Sequence, residues 1–225
     1  MMHEARTGSD HAKEYAALRE RVIGIVTLAD RSAPCPLTPA WTVGDTLAHL
    51  VGVTADILDD RLDGVASDAW TDAQVQARAT SSIDAMVAEW IGTAEAFDAR
   101  VAALPTQVSG QIVFDAVTHE HDLRHALGVP GARDVEAVSI AADWIGTMAG
   151  MGKVSMDPGI RLVVGAQEYH WGVESSAAVT LTPFEFVRTT SGRRSAAQIL
   201  ATGFPSLELG LAAGIFRPAS VDVVE

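Results

Sequence analysis

The apolar periodicity of this chain changes once, near Lys153, and that change limits the architectures open to it. Before it, apolar residues recur at three- and four-residue steps, the period of a helix with one buried face. Tyr15, Leu18, Val22, Ile25 and Ala29 mark a first helix. Pro34, Pro36 and Pro39 interrupt the pattern. Thr42 offers an N-cap with Asp45 reaching back from three positions on, and the helix it opens runs to about Asp63. A third helix is predicted over roughly 72–103, with Ile83, Met86, Val87, Trp90 and Ile91 facing inward and Leu104-Pro105 closing it. A fourth covers about 110–127, with Gly128 placed to end it and Pro130 just beyond. A fifth covers about 135–148. After Lys153, β-branched runs at 159–164 and 177–182 read as strands. Short helices are predicted at 183–189, with Pro183 at its first position, and at 195–201. The expectation is α+β: a helical bundle over residues 1–152, then a small α/β module over 153–225, without internal repeats.

Composition narrows the function classes. The 225 residues carry 16 Lys+Arg against 29 Asp+Glu, a formal net charge of −13, and no basic run, so neither nucleic acid nor an anionic membrane is an expected partner. No apolar run approaches the roughly 18 residues of a membrane span, and the polar first residues have no apolar signal core. The single cysteine, Cys35, fits a reducing compartment and reads as structural. These features lead us to expect a soluble cytoplasmic protein; the sequence leaves monomer and dimer open.

The chemistry concentrates in Phe114–Gly128, which holds His119, His121 and His125 together with Asp115, Glu120 and Asp122. Asp115 and His119 are four apart, one turn on one helix face, and form half of a metal site. His49, on the helix opened by Thr42, is a third ligand candidate. Two helices supplying two imidazoles and a carboxylate leave a coordination position open, which suits a catalytic metal. The plainer readings are a hydrogen-bonded polar pair for Asp115 and His119, and a half-buried histidine for His49. Helix geometry puts Asp115, His119 and Asp122 along the edge of an apolar stripe formed by Ile112, Ala116, Leu123 and Leu127, and turns His121 and His125 toward solvent. His121 to His125 imitates the H-E-x-x-H metalloprotease pattern only superficially, because Asp122 stands where the glutamate belongs. Asp122, three residues after His119, is placed to accept that ring's other N–H.

Three segments carry a family resemblance. Cys35-Pro36 to Leu50, with Trp41-Thr42-Val43, Asp45, Leu47 and His49-Leu50, is similar to the N-terminal motif of the mycothiol-dependent maleylpyruvate isomerase family, in the wider DinB-like group. His119-x-x-Asp122-Leu123-Arg124-x-Ala126-Leu127-Gly128 resembles its second motif. Phe184 to Arg188, with Ser191 to Ser195, Ala197 and Gln198, resembles its C-terminal signature. The resemblance implies a DinB-like four-helix bundle followed by a small sterol-carrier-like module. It also implies a divalent metal, zinc first and nickel second, held by His49, Asp115 and His119. Asp115 stands where the family has glutamate. The implied cosubstrate is mycothiol, a low-molecular-weight thiol of actinobacteria. An arginine of the C-terminal module is implied near the active site: Arg194 foremost, with Arg193 and Arg217 as the other candidates.

A cation with an open position lowers the pKa of an incoming thiol and makes it a nucleophile at neutral pH. Addition to a double bond, rotation and departure would be isomerisation; displacement or epoxide opening would be S-transfer. The partners expected are thus a small thiol and a small electrophile. Two other classes remain open from sequence: a small-ligand-binding or regulatory protein, with or without metal, and a metal-dependent hydrolase. His170 and Trp171 lie in a strand-like stretch without a functional signal.

Overall fold

The computed structural model describes residues 6–225. The first two helices begin where the chain offers a side-chain acceptor to the orphan N–H groups of the first turn. Thr7 and Asp10 cap α1 (Gly8–Val26) reciprocally. Thr42 and Asp45 do the same for α2 (Val43–Leu58), as the sequence predicts: Asp45 N–H donates to Thr42 Oγ1 at 3.2 Å and Thr42 N–H to Asp45 Oδ2 at 3.0 Å. α2 ends earlier than Asp63. Asp60 takes a left-handed φ of 53° and the Arg61 N–H turns back to the Asp56 carbonyl at 2.9 Å. The single helix expected over 72–103 is three: α3 (Asp68–Ala77), α4 (Ile83–Gly92) and α5 (Ala94–Ala103). α3 ends at Ala77 with Arg78 as its cap, Ser82 then caps α4 by accepting from Ala85 N–H, and Gly92 with Thr93 marks the joint between α4 and α5. The break turns Ile91 outward, 57% exposed, while Ile83, Met86 and Trp90 are buried. α6 (Thr106–Leu127) ends at Gly128 with φ 64°, as predicted from the glycine. α7 spans Glu136–Gly152.

The chain parts into two compact units. The first contains the residues up to Ser109 together with His119–Gly131, hence α1 to α5 and the C-terminal half of α6. In it α5 packs on α1, and α2 packs on α3, α4 and α5. Thr54 of α2 centres this core: its hydroxyl accepts from Trp90 Nε1 at 3.0 Å and lies 3.3 Å from Tyr15 Oη. Tyr15 in turn packs on Phe97 with ring centroids 4.8 Å apart. This is a helical bundle, as expected.

The second unit contains Gly110–Thr118 and Ala132–Glu225. Its sheet has the order β2-β1-β3, from β1 (Ile160–Val164), β2 (Gln167–Trp171) and β3 (Ala178–Leu181). β1 runs antiparallel to β2 across a turn at Gly165 and parallel to β3. Three short helices follow: α8 (Pro183–Thr190), α9 (Ala196–Ala201) and α10 (Leu207–Ala213), the last not marked by the sequence pattern. Tyr169 and Trp171, on one face of β2, rest against Gly146 and Gly150, one turn apart on α7. Trp171 Nε1 donates to the Gly146 carbonyl at 2.9 Å and Tyr169 Oη to Asp143 at 2.9 Å. An α/β module thus stands at the C-terminal end, and no described helix is long and apolar enough to cross a membrane.

Candidate metal centre

From Ile112 to Leu123 every residue of α6 except the half-buried Asp115 is buried. The stripe model fails here. It assumes one solvated face, whereas this stretch of α6 is buried around nearly its whole circumference. Glu120, 1% exposed, accepts two hydrogen bonds from Arg21 and two from Arg124. His121, expected in solvent, is buried, and His125 is half-buried.

His49 and His119 meet in this setting. Their rings stand 4.9 Å apart at 77°, both beneath the indole of Trp41, whose centroid is 5.3 Å from one and 5.5 Å from the other. Asp115, one turn before His119 on the same helix, completes the group: one ligand atom from each of His49, Asp115 and His119 lies within 4.8 Å of the other two. Among the described residues this is the group of histidine, cysteine and acid side chains able to hold a metal ion. Atoms bound to a tetrahedral zinc at about 2.1 Å stand roughly 3.4 Å from one another. Two imidazoles and one carboxylate are ordinary zinc donors, so the residues fit the cation. The Asp115 carboxylate comes within that 4.8 Å despite its shorter stem.

A side-chain oxygen lies near the Nδ1 of each histidine, at ion-pair distance for His119 and at hydrogen-bond distance for His49. Asp122 Oδ2 lies 3.2 Å from His119 Nδ1, and the Asp122 side chain is fully buried. Gln74 Oε1 lies 2.8 Å from His49 Nδ1. An Nδ1–H donated to an oxygen leaves the lone pair on Nε2. Asp122 is also fixed through its main chain, its carbonyl accepting from the buried Cys35 thiol at 3.6 Å. Cys35 is thus a packed, structural cysteine. Gln74 carries no motif; it sits on α3, 25 residues beyond His49, and only the packing of α3 on α2 reveals it.

A protein-family model for the mycothiol maleylpyruvate isomerase N-terminal domain matches residues 11–138. The chain belongs to this family. The match spans α2 and α6, the helices that carry His49, Asp115 and His119, and includes the first two segments of resemblance. Two crystal structures share the family's fold with this chain. One, of the mycothiol-dependent maleylpyruvate isomerase with a histidine replaced by alanine, has a TM-score of 0.57 at 12% identity, over 84% of this chain and 92% of that one. The other, of the unsubstituted isomerase, has a TM-score of 0.52 at 14% identity over the same shares. No curated protein matches the chain. Their coverage extends beyond the family's N-terminal domain into the α/β module.

The arginines of that module are not poised as the resemblance implies. Arg194 is 5% exposed, and its guanidinium grips Glu185 through Nε and Nη2, each at 2.8 Å, and Glu225 through Nη1 at 2.6 Å. Nη1 also donates to the Arg193 carbonyl. A fork so fully engaged inside its own module is a structural clamp, and we do not carry Arg194 forward as a catalytic group. Arg193 donates to the Ser191 carbonyl at 2.6 Å, and Arg217 is exposed. The buried arginine missed from sequence is Arg188, whose Nη1 donates to the Thr118 carbonyl of α6 at 3.1 Å while its Nε and Nη2 hold Glu225. His170 is exposed and Trp171 buried.

Proposed function

We propose that this protein is a divalent-metal-dependent enzyme that uses a low-molecular-weight thiol, mycothiol, as the nucleophile in isomerisation or S-transfer on a small electrophile. The observation that carries this reading is the convergence of His49, Asp115 and His119 to within 4.8 Å. Family membership and the fold shared with the mycothiol-dependent isomerase supply the thiol. Zinc is the cation the donor set suits best. When bound it supplies Lewis acidity that favours thiolate over thiol at neutral pH.

The chain's own residues do the rest. His49 and His119 present imidazole nitrogens from two helices, and Asp115 adds the anionic donor. Asp122 keeps the His119 ring in one orientation and balances charge on the buried side. Trp41, over both imidazoles, forms a wall that excludes water and offers an apolar face to the reacting pair. The lone, buried thiol of Cys35 is packed in the core, so the nucleophile comes from outside the chain. We place the enzyme in the cytosol, where such a thiol pool is kept reduced.

The test is turnover of maleylpyruvate, and of a set of epoxide and haloalkane electrophiles, by zinc-loaded protein with and without mycothiol. The proposal expects turnover that requires both zinc and thiol and is lost in His49→Ala and His119→Ala. Thiol-independent cleavage of esters or amides would instead make the protein a hydrolase, and metal-independent ligand binding alone would make it a binding module.

A further inference from the structure

We propose that Gln74 is a positioning residue of the metal centre: it holds His49 as the Nδ1–H tautomer and so assigns Nε2 as the ligand atom. The inference rests on the metal site proposed above and extends it to a residue outside every recognised motif. The geometry is a buried chain of polar groups. His49 Nδ1 lies 2.8 Å from Gln74 Oε1, Gln74 Nε2 donates to Asp56 Oδ2 at 2.7 Å, and Arg61 Nε donates to Asp56 Oδ1 at 2.9 Å. His49 and Gln74 are each 3% exposed, and Asp56 is 9% exposed.

Polarity runs one way along this chain. An amide can usually be turned end for end without changing its shape, so its orientation must come from its partners. Here Asp56 decides it. A carboxylate only accepts, and Arg61, which only donates, holds Asp56 in that role from the other side. The amide end facing Asp56 is therefore NH2, and the end facing His49 is the carbonyl. A carbonyl cannot donate, so the imidazole must donate from Nδ1 and keep its lone pair on Nε2. The order Arg61 to Asp56 to Gln74 to His49 thus carries a fixed charge at the surface into a fixed tautomer in the core.

A second feature shows that the placement is built. A Cβ on Gly52 would stand 2.5 Å from Gln74 Cβ and 2.7 Å from Gln74 Cγ. Gly52 lies three residues after His49, on the same face of α2, where the Gln74 stem crosses. Glycine at this position lets α3 come close enough for the amide to reach the ring. A mere tie between two helices would be indifferent to which end of the amide faces the histidine; a tautomer clamp is not.

Ring-nitrogen NMR on 15N-labelled, chelator-treated protein above pH 7 reads the tautomer directly, and competition against a chromophoric chelator reads zinc affinity. The proposal expects wild-type His49 to be protonated on Nδ1. Gln74→Met, which keeps the volume and loses the acceptor, should shift the ring toward the other tautomer and weaken zinc binding by roughly 10–100-fold. The double variant Gln74→Glu/Asp56→Asn keeps an acceptor for His49 and a donor for residue 74, and should restore both the tautomer and the affinity. Circular dichroism checks that each variant folds. If Gln74→Met does not, Gly52→Ala displaces the same amide without altering any polar group and is expected to shift the tautomer in the same sense. A tautomer that ignores these changes, or zinc affinity unchanged in Gln74→Met, overturns the assignment of Gln74. Failure of the wild-type protein to take up zinc overturns the metal site itself, which the metal-free tautomer measurement distinguishes.

Discussion

Glu120→Gln removes one negative charge from a place that water hardly reaches. The carboxylate accepts from Arg21 Nε and Nη2 at 2.9 and 2.8 Å, and from Arg124 Nε and Nη2 at 3.0 and 2.9 Å. Its side chain is 1% exposed. Deleting one partner of a buried pair costs about 3–5 kcal/mol, because the remaining charge is left uncompensated. Two features reduce that here. The Arg21 side chain is 23% exposed, so water takes up part of its charge, and glutamine keeps one acceptor oxygen. A loss of about 2–3 kcal/mol is expected. For a chain of this size that is roughly 4–12 °C in Tm, at about 2–4 °C per kcal/mol. The internal control is Glu168→Gln, which deletes the same charge from a pair with Arg161 whose side chains are 48% and 42% exposed. That pair is screened by solvent, so its loss should leave the Tm nearly unchanged. Thermal melts of both variants in one buffer decide the matter. Equal shifts, or a loss below about 1 kcal/mol at Glu120, would refute the argument that α6 is held by buried charge.

Two further outcomes follow from named contacts. Burial holds the His11 imidazole below its ordinary value of 6.5, and Arg6 acts in the same direction. The folded chain therefore takes that proton less readily than the unfolded one, so His11's contribution to stability is complete above about pH 6.5 and is lost as the pH falls toward the folded value. His11→Gln, which can still reach the Ser109 hydroxyl 2.8 Å from Nδ1, should flatten the fall in Tm between pH 7 and 5, and an unchanged slope would assign it to other groups. In α7, a Cβ on Gly146 would stand 2.5 Å from the Tyr169 ring, so Gly146→Ala should cost about 1–3 kcal/mol in denaturant unfolding. Gly24→Ala meets nothing within 4 Å inside α1 and should stabilise by about 0.4–1 kcal/mol; the opposite order would contradict the packing described.

The parts legible in the sequence are those written in local chemistry. Thr42 with Asp45, Gly128 after Leu127, and Pro183 at the head of α8 mark helix ends through caps that act within four residues. The three ligand candidates were legible for a similar reason: a spacing of four puts Asp115 and His119 on one face, and His49 lies in a recognisable motif. What the pattern conceals depends on partners distant in the chain. The breaks that divide α3, α4 and α5 fall after Ala77 and at Gly92-Thr93, among residues tolerable in a helix until packing favours a turn. His121 reads as a solvent residue because the pattern assumes one solvated face, whereas α6 is buried on nearly every side from Ile112 to Leu123. Arg194 reads as a free cation until Glu185 and Glu225 close on it. Gln74 has no local signal at all, since its role is set by a residue 25 positions earlier and by the absence of a side chain at Gly52.

The most direct test of the central claim is metal content by elemental mass spectrometry on untagged protein reconstituted with zinc and desalted, for the wild type, His49→Ala and His119→Ala. The account predicts close to one zinc per chain in the wild type and loss of that ion in both variants, since each removes one of the converging ligands. A wild-type protein without bound metal, or variants that retain the ion in full, would contradict it.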